Sequence, residues 1–377
     1  MPSVHPSAID RPALLDRFTR MRARTRAIFD VLDESVYYER PIALRNPVVF
    51  YEGHLPAFAV NTLIKRALGR SGIDAELETV FARGIDPETE ATAVARGNPA
   101  WPSRDAVRAY AAAADHLIEE AILSADLERD DRPLLRRAQA LWAILEHEEM
   151  HQETLAYMWH QVPYARKRKP PSYVTLPPAL GSAGTQARPA RVPIPAGSAT
   201  LGTTLDDAPF AWDNERPAHQ VHVDAFSIDV DNVTNGEFQE FVDAGGYRDE
   251  RWWRPQDWAW LRAHHVEHPV FWQRSDRQWY WRAMFELVPL PADWPVYVTW
   301  AEAHAYARWH GLRLPTEPEY HRAAFGTRGD GERRYPWGDV LRGRPPANFD
   351  FIRWDPERAG AHPDGASAFG VRDLAGN

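Results

Sequence analysis

The sequence predicts an α + (α+β) protein, in which an N-terminal four-helix bundle precedes a C-terminal α+β domain. Three observations lead to this fold class. Long segments before residue 162 carry apolar residues at helical spacing. Residues 163–191 are rich in Pro and basic side chains and show no periodicity, and short alternating runs such as HQVHVDAFSIDV begin after residue 192. We therefore predict domains at residues 1–162 and 192–377, joined by a linker at residues 163–191.

Four helices are predicted in the first domain, each from its apolar spacing and its end signals. Asn46 is placed to cap the second helix with Pro47 in its first position, and Ser103 begins the third. The segment Asp131–Pro133 is expected to begin the fourth. The first three predicted helices span residues 11–33, 47–68 and 103–123. Four helices joined in this way favour an antiparallel bundle whose core can hold a metal ion.

The segment Leu141–Trp159 on the fourth helix contains His147 and His151. At ~100° per residue these two side chains face the same side, one turn apart, within the apolar stripe that faces the core. Buried imidazoles are costly unless a partner satisfies them, and a metal ion does so. The third ligand must come from another helix. His54 on the second helix and His116 on the third are both candidates.

The composition narrows the chemistry. The chain has no cysteine, so any metal within these residues must be held by His, Asp, Glu or main-chain oxygen. The net charge of −9 argues against a nucleic-acid partner. No apolar run reaches membrane-spanning length and the start lacks the build of a signal peptide, so we expect a cytoplasmic protein without a membrane partner. The Trp-rich segment 251–282 is predicted to be core of the second domain.

Two dense motifs stand in the second domain, Arg313-Leu-Pro-Thr-Glu317 and Tyr335-Pro-Trp-Gly-Asp339. With them, residues 192–377 resemble the sulfatase-modifying-factor fold of the formylglycine-generating enzymes, a C-type-lectin-like fold. The resemblance does not extend to the activity, because formylglycine generation needs a pair of cysteines that these residues lack. Arg313 and Glu317 are expected to form a structural pair near a turn of this fold.

The first domain resembles the DinB-like bundles, and the pairing of the two domains resembles the ergothioneine-type sulfoxide synthases. The matching residues are Gly53-His54-Leu55 and the run HEEMHQE from His147 to Glu153. The resemblance implies that His54, His147 and His151 bind non-heme iron(II). It also implies that Glu153 orients a ligand histidine, and that the substrates are small molecules: hercynine (the trimethylammonium betaine of histidine), dioxygen and a chalcogen donor.

Met150, directly before the second ligand histidine, departs from the sulfur-using members of that family, which commonly carry Gln there. Met150 and the run YEGHLPAF around His54 are closest to the selenoneine synthase branch. That branch implies an enzyme that joins the selenium of a selenosugar to C2 of the imidazole of hercynine, with Met150 at the substrate pocket.

Three alternatives stay open. The first is an ergothioneine sulfoxide synthase that joins hercynine to cysteine or γ-glutamylcysteine. The second is a metal-dependent thiol transferase, since DinB-like bundles with three histidines also bind zinc or nickel, and the third is a lectin-like binding module. The family pattern continues past Asn377 with the active-site tyrosines. The resemblance therefore implies a second domain that is cut short and leaves the catalytic proton donor unassigned.

Overall fold

The computed structural model describes residues 9–82, 100–171, 173, 190–329, 331–341, 343–349 and 353–377. The chain divides into two compact units, one formed by residues 1–171 with 205–210 and the other by residues 172–204 with 211–377. Most of the predicted linker at 163–191 lies outside the described residues. Within the described part of the chain, no helix is both long and apolar enough to cross a bilayer.

The N-terminal unit is helical. Its first helix packs against the two long helices at the end of the unit, and the second helix contacts the same two. Apolar residues on their facing sides form one buried cluster that includes Phe18, Leu63, Ile118 and Leu141. The helices are α1 (Arg11–Asp30), α2 (Val48–Ala59), α3 (Ala75–Val80), α4 (Arg104–Ser124) and α5 (Gln139–Gln161), and a π-helical segment, Val60–Ala67, continues α2.

Two predicted helix starts are wrong. Pro47, and not Asn46, is the N-cap residue of α2, and no side chain caps this helix. The fourth long helix, α5, begins at Gln139 because Arg137 and Ala138 have φ values of 54° and 56°. An α-helix cannot continue through such left-handed residues. The prediction for the third helix is confirmed, since the Ser103 side chain accepts a hydrogen bond from the first turn of α4.

The C-terminal unit combines short antiparallel sheets with short helices. Strand β1 (Arg191–Ile194) pairs with β4 (Phe226–Asp229), and β2 (Gly197–Leu201) pairs with β3 (His219–Val223). A third sheet has the order β5 (Trp272–Ser275), β6 (Gln278–Arg282), β7 (Leu287–Pro289). The helices are α6 (Asn235–Asp243), α7 (Pro255–Ala263), α8 (Trp300–Trp309) and α9 (Glu317–Phe325).

The Trp-rich segment supplies much of the core of this unit, as predicted. Trp253, Trp272 and Trp281 are almost fully buried in one cluster with Phe238 and Phe241. Two of these rings also make hydrogen bonds: the indole N–H of Trp253 donates to the carbonyl of Gly246, and that of Trp272 donates to the side chain of Asn235. The abundance of tryptophan therefore reflects packing in this domain.

The predicted pair of Arg313 with Glu317 is wrong by two residues. Glu317 is the first residue of α9, whereas Glu319 closes a capping box with Thr316. That box turns the Glu319 carboxylate back toward Arg313, whose two terminal nitrogens lie 2.5 and 2.6 Å from its oxygens. The ion pair with Arg313 lowers the pKa of Glu319 to about 2.

Candidate metal centre

Three histidine side chains from two helices converge in the N-terminal unit. His54 lies on α2, and His147 and His151 lie on α5. One ring nitrogen from each lies within 4.8 Å of the other two, and the Nε2 atoms of His54 and His147 are 3.3 Å apart. His54 and His147 are buried, at 4% and 8% exposure, and His151 is half-buried.

The backbone around His54 fixes the orientation of its ring. The Nδ1–H group donates to the carbonyl oxygen of Phe81, at 2.7 Å, so that Nε2 keeps its lone pair and points to the other two histidines. Gly53 allows this approach, because a Cβ atom at that position would lie 2.3 Å from the Phe81 ring. Glycine directly before His54 thus has a steric role here, because it leaves room for the Phe81 ring.

Aromatic rings enclose the three imidazoles. Phe50 stacks on His54 with ring centroids 4.9 Å apart, and Phe58 stacks on His147 at 3.6 Å. Tyr51 lies against His151, with ring centroids 5.9 Å apart. Phe50 and Phe58 stand four residues before and four residues after His54. The helical spacing of α2 is therefore the signal that identifies these two as neighbours of the site.

The environment keeps His147 neutral. Burial, followed by the proximity of His151 and His54, lowers the pKa of His147 to about 2. The Nδ1 atom of His147 is buried and has no hydrogen-bond partner within the part of the chain that the structure describes. Three imidazole nitrogens at this separation fit one divalent transition-metal ion, which would also remove the cost of facing nitrogen lone pairs toward one another.

The other predicted residues lie outside this cluster. His116 is exposed on α4, and Met150 on α5 is 46% exposed. Glu153 is exposed, and the described contacts give it no hydrogen bond to a histidine. The hydrogen-bond acceptor that orients the His54 ring is the Phe81 carbonyl oxygen, which could not be predicted from the sequence. The carboxylates of Glu148 and Glu149 are both engaged by arginines of α1.

Comparison with known proteins agrees with this organisation. Residues 17–155 match the DinB superfamily, and residues 178–377 match the sulfatase-modifying factor enzyme 1-like domain. The chain is 32% identical over 372 residues to hercynine oxygenase of Mycolicibacterium smegmatis, a match that spans 98% of this chain and 82% of that protein.

Two further relatives match over smaller parts of their length. The hercynine oxygenase of Mycolicibacterium thermoresistibile is 41% identical over 244 residues, which are 63% of this chain and 52% of that protein. Ergothioneine biosynthesis protein 1 of Schizosaccharomyces pombe is 27% identical over 326 residues, or 77% of this chain and 38% of that protein. The chain thus spans about half the length of some of the relatives that it matches.

The fold and the histidine cluster define a class of two-domain proteins, in which a DinB-type helical bundle precedes a sulfatase-modifying-factor domain. Within this class the chain belongs to the hercynine oxygenase family, a family of enzymes.

Proposed function

We propose that this protein is a non-heme iron(II), dioxygen-dependent enzyme that joins a chalcogen atom to C2 of the imidazole of hercynine. One observation carries the proposal: three imidazoles from α2 and α5 converge within 4.8 Å in a chain whose relatives are named hercynine oxygenase. Three histidines are a ligand set that suits iron(II), and they would leave the ion accessible to hercynine, the donor and dioxygen.

His54, His147 and His151 would hold the iron, and iron(II) supplies the activation of dioxygen when it is bound. The residues around them prepare the site. The Phe81 carbonyl holds His54 in one tautomer, and the rings of Phe50 and Phe58 shield the imidazoles from water. Holding the reactants side by side is expected to provide much of the rate gain.

The proposed reaction balances with dioxygen as the oxidant. The C2–H bond of hercynine and the Se–H or S–H bond of the donor break, and one C–Se or C–S bond forms. Two protons and two electrons pass to dioxygen, which leaves as hydrogen peroxide. If the chalcogen instead takes one oxygen atom, two further electrons leave the chalcogen and the second oxygen atom leaves as water. We assign no residue of this chain as the proton donor.

For the donor, we propose a selenosugar. Met150 supports this choice, because its exposed thioether directly precedes His151 and is soft and polarisable, as selenium is. A polar residue at this position would suit a sulfur donor with charged groups. The alternative donor is therefore a thiol, cysteine or γ-glutamylcysteine, and the product is then a sulfoxide on the route to ergothioneine.

A mass-resolved assay tests the function and the donor together. Iron-loaded protein is incubated with hercynine and, in separate reactions, a selenosugar, cysteine and γ-glutamylcysteine, each in air and without dioxygen. We expect a new hercynine adduct with the selenosugar in air only. An adduct with a thiol alone would exclude the selenium donor, and turnover without dioxygen would favour the metal-dependent thiol transferase. Labelled dioxygen shows whether the product carries one of its atoms.

A further inference from the structure

Two polar residues of α5 directly follow the two histidines of the metal site. Glu148 follows His147 and Gln152 follows His151, so the four residues form two parallel stripes about 100° apart on the helix. Glu148 is 2% exposed and Gln152 is fully buried. Buried polar side chains of this kind are retained only with hydrogen-bond partners. Here the partners belong to α1.

A directional chain of hydrogen bonds connects the second stripe to α1. The side-chain N–H of Gln152 donates to Thr25 Oγ1 at 2.9 Å and to the carbonyl of Met21 at 3.0 Å. The Thr25 hydroxyl donates in turn to Glu148 Oε1 at 2.5 Å. Because a hydroxyl has a single proton, this arrangement has one consistent direction, from Gln152 through Thr25 to Glu148.

Arg22 completes the network with charge. Its Nη1 atom lies 2.8 Å from Glu148 Oε1 and its Nε atom lies 2.6 Å from Asp115 of α4, so three helices are connected through one buried guanidinium. A rotation or slide of α5 would move Glu148 away from Arg22 and leave the Glu148 charge buried without its partner, whereas Arg22 would keep Asp115. The network therefore fixes the rotation of α5 about its own axis.

The ligand histidines depend on that rotation. Metal-binding histidines are usually oriented by a hydrogen bond from their second ring nitrogen. His54 has such a bond, but within the described residues Nδ1 of His147 has none. The direction of the His147 ring must then come from the placement of α5 and from stacking on Phe58.

We propose that Glu148 and Gln152 are positioning residues of the metal centre, which aim His147 and His151 at His54 through their bonds to Arg22 and Thr25. This inference rests on the proposed metal site. It predicts that the network sets the metal affinity and geometry of the folded protein as well as its stability.

Cobalt(II) titration of the full chain, without dioxygen, tests the proposal, because the visible spectrum of the ion reports its geometry. Glu148→Gln is expected to weaken Co(II) binding by about 10–100-fold, the usual effect of losing a residue that orients a ligand, and to change the spectrum. The matched control is Glu149→Gln. Glu149 also pairs with an arginine of α1, Arg17, but its side chain is 32% exposed, and this variant should bind as the unchanged protein does.

A conservative pair of variants separates positioning from folding. Thr25→Ser keeps the hydroxyl and should retain the affinity, whereas Thr25→Val keeps the shape without the hydroxyl and should lose it. In Arg22→Ala, a cavity of about 350 Å³ lined by Arg22, Thr25 and Asp115 offers an entry for free guanidinium. Dilute guanidinium should restore Co(II) binding there, and sodium chloride at the same concentration should not.

The outcomes are distinct. Folded Glu148→Gln and Thr25→Val proteins with the unchanged affinity and spectrum would overturn the positioning role and leave the metal site in place. A failure of the unchanged protein to bind Co(II), or full binding by His151→Ala, would overturn the proposed metal site and with it this inference.

Discussion

The Nδ1 atom of His54 lies 2.7 Å from the carbonyl oxygen of Phe81, the C-cap residue of α3. This bond joins a candidate ligand on one helix to the backbone of the short helix that follows it in the chain. It fixes the tautomer of His54 by a group that no side-chain substitution can remove. Testing the bond therefore requires a displacement of Phe81, which a side chain added at Gly53 would cause.

Gly53→Ala should weaken metal binding and destabilise the N-terminal unit. The added Cβ atom would lie 2.3 Å from the Phe81 ring. The ring must therefore shift, and we expect the backbone carbonyl of Phe81 to shift with it. Overpacking of this kind costs about 1–3 kcal/mol in the free energy of unfolding. Chemical denaturation and Co(II) titration measure the two effects. Gly329→Ala is the control, because its Cβ atom would meet nothing closer than 3.9 Å; equal behaviour of the two variants would contradict the steric account.

Replacing a ligand should abolish stable iron binding. His54→Ala and His151→Ala each leave two imidazoles, and we expect iron(II) affinity to fall by at least about 100-fold, beyond the effect of losing an orienting residue alone. Iron content after anaerobic loading and desalting measures this. His116→Ala, at an exposed position of α4, should keep the full iron content. Normal iron content in His151→Ala would refute the ligand assignment.

The pair of Arg313 with Glu319 should make part of the stability of the C-terminal unit depend on pH. The folded state holds the pKa of Glu319 at about 2, below the usual value of 4.5. The stabilisation is then fully present above the unfolded pKa and is lost as the pH falls from about 4.5 toward 2. Glu319→Gln should cost about 1 kcal/mol at pH 7, since Arg313 is largely exposed.

The measurement for that prediction is the free energy of unfolding of both proteins across this pH range. The difference between them should shrink as the pH falls. A difference that stays constant from pH 7 to pH 3 would show that the charge of Glu319 is not its cause.

Trp281→Ala should strongly destabilise the C-terminal unit. Trp281 is fully buried on β6 among aromatic rings, and truncating a buried Trp costs about 3–5 kcal/mol. Trp260, which is 54% exposed on α7, supplies the control, and Trp260→Ala should change stability by less than about 0.5 kcal/mol. Denaturant titration followed by circular dichroism compares the two. Similar midpoints for both variants would contradict the assignment of Trp281 to the core.

The sequence predicted the site unevenly, for reasons that lie in distance along the chain. His147 and His151 are four residues apart, so helical periodicity alone brings them together. His54 is 93 residues from His147. Residue spacing alone left His54 and His116 as two candidates for the third ligand, and the family resemblance was needed to choose His54. The Phe81 carbonyl has no side-chain signature and could not have been predicted.

The helix boundaries show the same division between local and non-local causes. Ser103 was predicted correctly as a cap because the capping bond lies within one turn. The start of α5 was missed because Arg137 and Ala138 are left-handed without being glycine or asparagine. No local sequence preference predicts this conformation, which is held by the surrounding packing. The partner of Glu148 is likewise non-local, since Arg22 of α1 engages its carboxylate.

The π-helical segment after α2 separates two structural demands. Its hydrogen bonds run to the fifth residue, so each of its turns takes up more residues than a turn of α2. The direction in which His54 points, before this segment, is thus not tied by one helical repeat to the direction of the core residues Leu63 and Ile64 within it. A deletion between residues 60 and 67 could be absorbed by reverting to ordinary α-helical turns. This stretch is therefore a place where the bundle can change length without turning His54 away from His147 and His151.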